Sequence, residues 1–261
     1  MLNEKLEAVL GEKGLVLGDA LAERLIPHGH PGVLLRPQST DEVAAALRLC
    51  NEAGQPVVPY GGLTGLVEAT TANGSEVAIS LERMNAIEEI DIASRTMTVQ
   101  AGVPLQVVQE AAEAEGLLFP LDIGARGSAT IGGNVATNAG GNRVIRYGMM
   151  RDQILGMEVV LADGTVLSSM NKIIKNNTGY DLKQLFIGSE GTLGIVTRLV
   201  LKLRPAPTSQ NMAFLAASTF DEVTTLLNRL DAGLGGSLSA FEVMWSDYYE
   251  LVTKPPAAGQ P

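Results

Sequence analysis

The fold of this chain is decided by residues 127–141, which read Gly-Ser-Ala-Thr-Ile-Gly-Gly-Asn-Val-Ala-Thr-Asn-Ala-Gly-Gly. Two Gly-Gly pairs leave the main chain bare, and the asparagine and threonine residues between them add neutral hydrogen-bonding groups. Because glycine lets the backbone approach another molecule closely, a flat and polar ring system could lie against this segment. A cluster of structural turns is the alternative. The density of glycine favours a ligand-binding segment.

Two further glycine-rich segments lie on either side of the first one. Residues 59–66 follow a predicted strand, and successive glycines there could direct backbone N–H groups at an anion such as a pyrophosphate. The segment lacks both the G-x-G-x-x-G spacing and the lysine of a Walker A loop, so a plain tight turn is the alternative. In residues 186–196, several small residues precede a predicted strand. This pattern indicates either contact with a cofactor or an ordinary loop.

The composition excludes several classes of protein. Hydrophobic residues make up 46% of the 261 residues and charged residues 18%, which is enough for a sizeable core. The net charge of −10 excludes the basic surface that nucleic-acid binding requires. The sequence shows no signal peptide and no apolar run long enough to span a bilayer. We therefore expect a cytoplasmic protein.

Cysteine and histidine chemistry is sparse. Cys50 is the single cysteine, so a disulfide within the chain is impossible, and we expect a small buried apolar residue rather than a reactive thiol. His28 and His30 are the only histidines, and neither has an acidic or cysteine partner nearby that would make a metal site. We expect both to lie on the surface of an N-terminal lead-in.

Hydrophobic patterning predicts alternating strands and helices. A capping-box pattern at 39–42 begins a helix that ends at Gly54, and this helix joins two strands in a parallel βαβ unit. Asp163-Gly164 predicts a hairpin. Alternating charged residues at 198–204 predict a solvated strand face. The predicted strands are 33–35, 56–59, 77–81, 87–90, 97–100, 154–162, 165–169, 194–204, 212–217 and 237–245, and further helices are predicted at 104–115 and 220–230.

Together, in this order and spacing, the glycine segments resemble the vanillyl-alcohol-oxidase (PCMH-type) superfamily of FAD-linked oxidases. The resemblance is strongest to the group that contains D-2-hydroxyglutarate dehydrogenase, D-lactate dehydrogenase and glycolate oxidase. It rests on residues 120–128, 131–141, 146–148, 177–194 and 239–244. The resemblance implies an α+β fold in which a two-subdomain FAD-binding domain precedes the beginning of an α+β substrate (cap) domain.

The resemblance also implies domain boundaries and a cofactor site. We expect a helical lead-in at 1–30, the FAD-binding domain at 31–205 with subdomains at about 31–100 and 101–205, and the start of a truncated cap domain at 206–261. The expected FAD-binding residues are Pro59, Tyr60, Gly61, Gly62, Leu63, Thr64, Gly65, Leu66, Pro120, Asp122, Gly127, Ser128, Ile131, Gly132, Gly133, Asn134, Thr137, Asn138, Gly140, Gly141, Gly148, Glu190, Gly191, Gly194, Ile195 and Val196. No catalytic residue is expected within the chain.

The implied activity is FAD-dependent oxidation of a D-2-hydroxy acid to the 2-oxo acid, with hydride transfer to flavin N5. A substrate like 2-hydroxyglutarate is favoured over one like lactate. Leu63 stands where some relatives carry a histidine that is bonded to the flavin, so non-covalent FAD is expected. A divalent metal and the catalytic base would belong to the missing cap domain. An electron-transfer flavoprotein or a quinone is the expected electron acceptor, and a homodimer is the expected assembly.

Two alternatives to this function stay open. One is a non-catalytic FAD-binding subunit that needs a separate cap polypeptide, and the other is an oxidase of the same fold that acts on another alcohol.

Overall fold

The computed structural model describes residues 1–24 and 29–254. Its strands are Leu15–Val16 (β1), Val33–Leu35 (β2), Val57–Tyr60 (β3), Val77–Ser80 (β4), Ile87–Asp91 (β5), Thr96–Gln100 (β6), Leu117–Leu118 (β7), Ile154–Val160 (β8), Val166–Ser169 (β9), Ile195–Lys202 (β10) and Arg204–Pro205 (β11). Its helices are Leu2–Leu10 (α1), Gly18–Ala22 (α2), Thr40–Glu52 (α3), Leu105–Ala114 (α4), Ile131–Ala136 (α5), Val144–Tyr147 (α6), Lys183–Phe186 (α7), Phe220–Leu234 (α8) and Ser246–Thr253 (α9). His30 is exposed as predicted, whereas His28 and the tail at 255–261 lie outside the described residues.

The first sheet has the strand order β1-β2-β4-β3, and both β2 and β3 run parallel to β4. The predicted βαβ unit is therefore confirmed in its strand direction, although β4 lies between the two strands that α3 connects. The predicted cap of α3 is also present, because Ser39 Oγ accepts a hydrogen bond from the Glu42 amide at 3.2 Å. Tyr60 and Ser80 face each other where β3 and β4 end, which sets the level at which the following loops leave the sheet.

The second sheet is antiparallel and has the order β5-β6-β10-β8-β9. Its β8–β9 hairpin turns at the predicted Asp163-Gly164. The chain passes from the first sheet to the second between Ser80 and Ile87, whereas the sequence placed a subdomain boundary near residue 100. The difference arises because β6 pairs with β10, about a hundred residues further along the chain, and no local pattern reveals that pairing. The lead-in is also less separate than expected, since β1 pairs with β2.

One continuous core joins the two sheets. Met97, Phe119, Ile131 and Leu199 are fully buried in it, together with Leu35 from the first sheet. Because side chains alternate across a strand, Leu34, Tyr60 and Ala78 point to the opposite face of the first sheet and form a smaller cluster there. The fold is α+β, and the shared core fixes the position of one sheet against the other.

At Arg198, the face predicted as solvated carries ion pairs that the sequence did not predict. This side chain is only partly exposed, donates to both carboxylate oxygens of Glu88 and lies 3.5 Å from the carboxylate of Glu158. Glu158 itself is 8% exposed and accepts hydrogen bonds from Thr40 Oγ1 at 2.7 Å and Ser168 Oγ at 3.1 Å. Buried charge requires such partners, and a local alternation of residue types could not reveal them.

The C-terminal segment departs most from the sequence prediction. The strands predicted at 212–217 and 237–245 are wrong, since neither segment pairs with any strand of the described chain. The helix predicted at 220–230 is confirmed as α8, and α9 was not predicted. None of residues 206–254 is buried, so α8 and α9 pack against no core. A strand needs a neighbour for its backbone groups, and an alternating pattern alone supplies none.

Candidate functional site

An open cavity of about 850 Å³ lies at the carboxyl ends of β3 and β4. The loop 61–67 after β3 and the turn 81–85 after β4 line it. Residues 128–137, which include α5, and several of residues 186–196 complete the lining. The carboxyl ends of parallel strands are the usual place for a ligand in such a sheet, because the loops there diverge and leave a crevice. The volume falls within the range of small-molecule and cofactor sites.

Two of the predicted glycine segments meet backbone to backbone at this cavity. A Cβ atom on Gly62 would overlap the Ser128 carbonyl oxygen and would lie 2.9 Å from Ala129 Cα. A Cβ atom on Gly61 would lie 2.9 Å from Thr130 Oγ1 and 3.3 Å from Gly133 Cα. These glycines are therefore required for the contact between the loops, whereas the sequence offered a bound anion or a tight turn as their explanation. The contact brings the two segments together along one wall.

Buried polar groups with no partner line the cavity beside this contact. Asn134 is 4% exposed, and its Nδ2 donor meets no acceptor among the described residues. Tyr60 is also 4% exposed, and its hydroxyl likewise has no partner there. Burial, assisted by the negative charge of Glu76, raises the pKa of the Tyr60 phenol, so it stays a neutral donor. Polar groups left in this state are costly unless a ligand bonds to them, which fits a polar cofactor such as a flavin.

The charged lining of the cavity is sparse. Among the described residues it consists of Arg24, Glu82 and Glu190. Glu190 adopts a left-handed backbone conformation with φ 52°, and Gly191 follows it with φ 78°. A side chain on Gly191 would collide with the ring of Pro59, so this turn packs tightly against the end of β3. A strained turn that is held by its neighbours at a cavity wall is a common feature of binding sites.

The structure brings most of the predicted site residues to the cavity. Those that line it are Pro59, Tyr60, Gly61, Gly62, Leu63, Thr64, Gly65, Leu66, Ser128, Gly132, Gly133, Asn134, Thr137, Glu190, Gly191, Gly194, Ile195 and Val196. The predicted residues that do not line it are Pro120, Asp122, Gly127, Ile131, Asn138, Gly140, Gly141 and Gly148. Their role in FAD binding stays a prediction.

Several of the residues outside the cavity serve the packing of the chain. Ile131 is fully buried in the core. Asn138 accepts a hydrogen bond at 3.0 Å from the backbone N–H of Arg151, and a side chain on Gly141 would overlap the Asp122 carbonyl. Close packing of one turn against another therefore accounts for part of the glycine content of this segment.

The sequence missed the side of the cavity that the turn after β4 forms. Ser80, Glu82 and Asn85 line it there, and Arg24 reaches it from the lead-in. A signal was available, because residues 77–81 were predicted as a strand next to a parallel unit. The residues after such a strand emerge at the same edge as the glycine loop. Arg24 gave no comparable signal.

A smaller cavity of about 430 Å³ adjoins the first one. It lies between the second half of α3, the start of β3 and residues 190–195, and it shares Pro59 and Glu190 with the larger cavity. Cys50 lines it but is only 1% exposed, and burial raises the pKa of its thiol to about 11. The prediction of a buried, unreactive cysteine is confirmed.

Two classes of feature are absent from the described chain. Over residues 1–24 and 29–254, no helix is both long and apolar enough to cross a membrane. In the same ranges no three histidine, cysteine, aspartate or glutamate side chains are grouped so that they could hold a metal ion.

Comparisons with known proteins agree with a flavin site. Residues 31–169 match the family model of the FAD binding domain. The mitochondrial D-2-hydroxyglutarate dehydrogenase of Bos taurus is 49% identical over 224 residues, which are 86% of this chain and 41% of that protein. The D-2-hydroxyglutarate dehydrogenase of Xanthomonas citri pv. viticola is 45% identical over 213 residues, which are 82% of this chain and 45% of that protein. The chain thus spans less than half the length of these curated relatives.

A solved structure shows the same fold at lower identity. An alkyldihydroxyacetonephosphate synthase superposes with a TM-score of 0.70 and 23% identity, over 80% of this chain and 41% of that one. This likeness concerns the fold alone.

The predicted cytoplasmic location is contradicted by the relatives. The proteins of Bos taurus, Danio rerio, Rattus norvegicus and Arabidopsis thaliana that match this chain are named as mitochondrial. The prediction was therefore wrong. Its premise, the lack of an N-terminal apolar segment, says nothing about compartments that such a segment does not address.

Proposed function

Because the chain belongs to the family of FAD-binding domains, we propose that it forms the flavin site of a dehydrogenase that oxidises a D-2-hydroxy acid. The observation that carries the proposal is the meeting of residues 61–62 with residues 128–133 at a cavity lined by polar groups that have no partner in the described part of the chain. The curated relatives at 45–49% identity support a substrate like 2-hydroxyglutarate. A protein of Schizosaccharomyces pombe that is named as a D-lactate dehydrogenase, 40% identical over 233 residues, keeps a lactate-like substrate as the second candidate.

In this proposal FAD lies extended along the cavity. The pyrophosphate lies on the loop 59–66, where backbone N–H groups can converge on it. The ribityl chain and the isoalloxazine ring lie along residues 128–137, and the adenine half lies toward residues 190–196. The buried amide of Asn134 and the hydroxyl of Tyr60 would then donate to cofactor oxygens or ring nitrogens and gain the partners that they lack.

The bound flavin would supply the acceptor for the hydride that leaves C2 of the hydroxy acid. The residues of this chain bind and orient the ring and cover one of its faces. The base for the C2 hydroxyl proton, the anchor for the substrate carboxylate and any divalent metal would come from outside residues 1–261. An electron-transfer flavoprotein or a quinone would then accept the electrons.

A chimera tests whether this chain can form the flavin site of a D-2-hydroxy-acid dehydrogenase. Residues 31–205 of this chain would replace the aligned segment of the Bos taurus enzyme, and reduction of the bound flavin would be followed anaerobically. We expect D-2-hydroxyglutarate to reduce the flavin, because the rest of the Bos taurus enzyme would supply the substrate anchor and the base. A chimera that folds and carries FAD, but that D-2-hydroxyglutarate does not reduce, would contradict the proposal.

We predict that FAD dissociates from the purified chain on acid denaturation. Leu63 occupies the place in the glycine loop where some members of the resembled superfamily carry a histidine bonded to the flavin, and the described cavity lining contains no cysteine or histidine. After precipitation with trichloroacetic acid, the flavin absorbance should be found in the supernatant. Flavin that stays with the washed pellet would show a covalent bond.

A further inference from the structure

The carboxylate of Glu82 lies beside the loop on which the pyrophosphate is proposed to bind. Tyr60 and Ser80 are opposite each other in the parallel pair β3–β4, so Gly61-Gly62 and Leu81-Glu82 leave the sheet at the same level. Both segments line the larger cavity. A carboxylate at this position would repel an anionic ligand, because like charges at short range destabilise each other.

Two arginines compensate for this carboxylate. Arg24 Nη2 donates to both oxygens of Glu82, at 2.8 and 2.9 Å, and Arg36 Nε donates to Oε1. Arg83 Nη1 donates to the Arg36 carbonyl at 2.8 Å and fixes the end of β2 from which Arg36 extends. Two guanidinium groups on one carboxylate leave a local net charge of +1, in a chain whose net charge is −10.

Arg24 is the member of this group that can reach a ligand. Among the described residues it is the only cationic side chain that lines the larger cavity, whereas Arg36 contacts Glu82 but does not line the cavity. Its side chain is 33% exposed. Its Nε and Nη1 donors make no hydrogen bond to any other described residue. Charged donors of this kind bind phosphate oxygens.

We propose that Arg24 is a cofactor-binding residue that contacts the pyrophosphate of FAD, and that Glu82 and Arg36 hold its guanidinium in place. The proposal rests on the proposed function, because it requires FAD in this cavity. It adds a side-chain cation from the lead-in to a site that the glycine loop alone would form from backbone groups. Arg36 is then a positioning residue, which acts through Glu82.

The test is the FAD affinity of Arg24→Gln, measured by fluorescence titration at low and high ionic strength. We expect the dissociation constant to rise about tenfold at low ionic strength, as for loss of a charge-assisted hydrogen bond. The dependence of the affinity on salt should also weaken, because one cation fewer faces the ligand. Arg24→Lys, which keeps the charge, should recover most of the affinity. Arg36→Gln should weaken binding less than Arg24→Gln does.

Lys172→Gln is the matched control. Lys172 is 32% exposed, pairs with Glu89 at 2.6 Å and does not line the cavity, so its loss changes the net charge equally without touching the site. Equal affinities and salt dependences for Arg24→Gln and Lys172→Gln would overturn the proposal. So would an Arg24→Lys variant as weak as Arg24→Gln, because the role of Arg24 would then not depend on its charge. If the unmodified chain binds no FAD, the proposed function fails together with this inference, whereas an unaffected Arg24→Gln refutes the inference alone.

Discussion

Replacing Gly62 by alanine is expected to raise the dissociation constant for FAD at least about a hundredfold, because the added methyl group separates the two segments that form the cavity wall. The new Cβ would overlap the Ser128 carbonyl oxygen and lie 2.7 Å from the carbonyl carbon. Both obstacles are backbone atoms, which cannot turn aside as a flexible side chain could. The loop 61–67 must therefore move away from residues 128–133, and the unpartnered donor of Asn134 then no longer faces the same ligand.

Substitutions at two further glycines provide an intermediate case and a control for this prediction. Gly61→Ala should weaken FAD binding less, because its closest obstacle is a side-chain atom, the Thr130 hydroxyl at 2.9 Å, and its nearest backbone atom, Gly133 Cα, is 3.3 Å away. Gly74→Ala is the control. Gly74 precedes the amino-terminal end of β4, whereas the cavity lies at the carboxyl end. The nearest atom to its added Cβ is 3.9 Å away. Circular dichroism would establish that each variant is folded. An affinity for Gly62→Ala within about threefold of the unmodified chain would show that the contact between the segments does not shape the flavin site.

Local sequence signals predicted those parts of the fold that local chemistry determines. The cap at Ser39 and the turn at Asp163-Gly164 depend on neighbouring residues, and both were predicted correctly. The strands expected at 212–217 and 237–245 were wrong, because a strand depends on a partner that its own pattern does not specify. The pairing of β6 with β10 escaped prediction for the same reason.

In the candidate site, too, features set by neighbouring residues could be predicted, whereas features set by distant residues could not. Residues 59–66 could be predicted because their glycines form an unbroken local pattern after a strand. The pairing of Arg24 with Glu82 joins residues that are 58 positions apart. It becomes visible only when the lead-in is placed next to β4, through the pairing of β1 with β2 and of β2 with β4. A glycine in this segment can serve either contact between loops or contact with a cofactor, and the sequence alone cannot distinguish the two roles. Gly62 is needed for contact between two loops, and the same contact creates the space in which a cofactor would lie.

The flavin bound to the isolated chain is expected to resist reduction by D-2-hydroxyglutarate. Oxidation at C2 requires an anchor for the carboxylate and a base for the hydroxyl proton, and a positioned base typically contributes a rate factor of about 10² to 10⁴. The ionisable side chains in the described lining are Arg24, Tyr60, Glu82 and Glu190. Arg24 and Glu82 are bound to each other, and Tyr60 is a buried phenol whose raised pKa keeps it protonated. Glu190 lies on the side proposed for the adenine half.

Reduction of the flavin is measured by mixing the chain anaerobically with D-2-hydroxyglutarate or with its L-enantiomer and following the absorbance at the flavin band. We expect no bleaching by either enantiomer over minutes, while dithionite reduces the same sample completely and shows that the flavin is accessible and redox-competent. The chimera that carries residues 31–205 should bleach with the D-enantiomer under the same conditions. Bleaching of the isolated chain by the D-enantiomer alone would place a stereoselective base within residues 1–261. Glu190 would then be the first residue to replace, because it is the carboxylate of the described lining that makes no ion pair with another described residue.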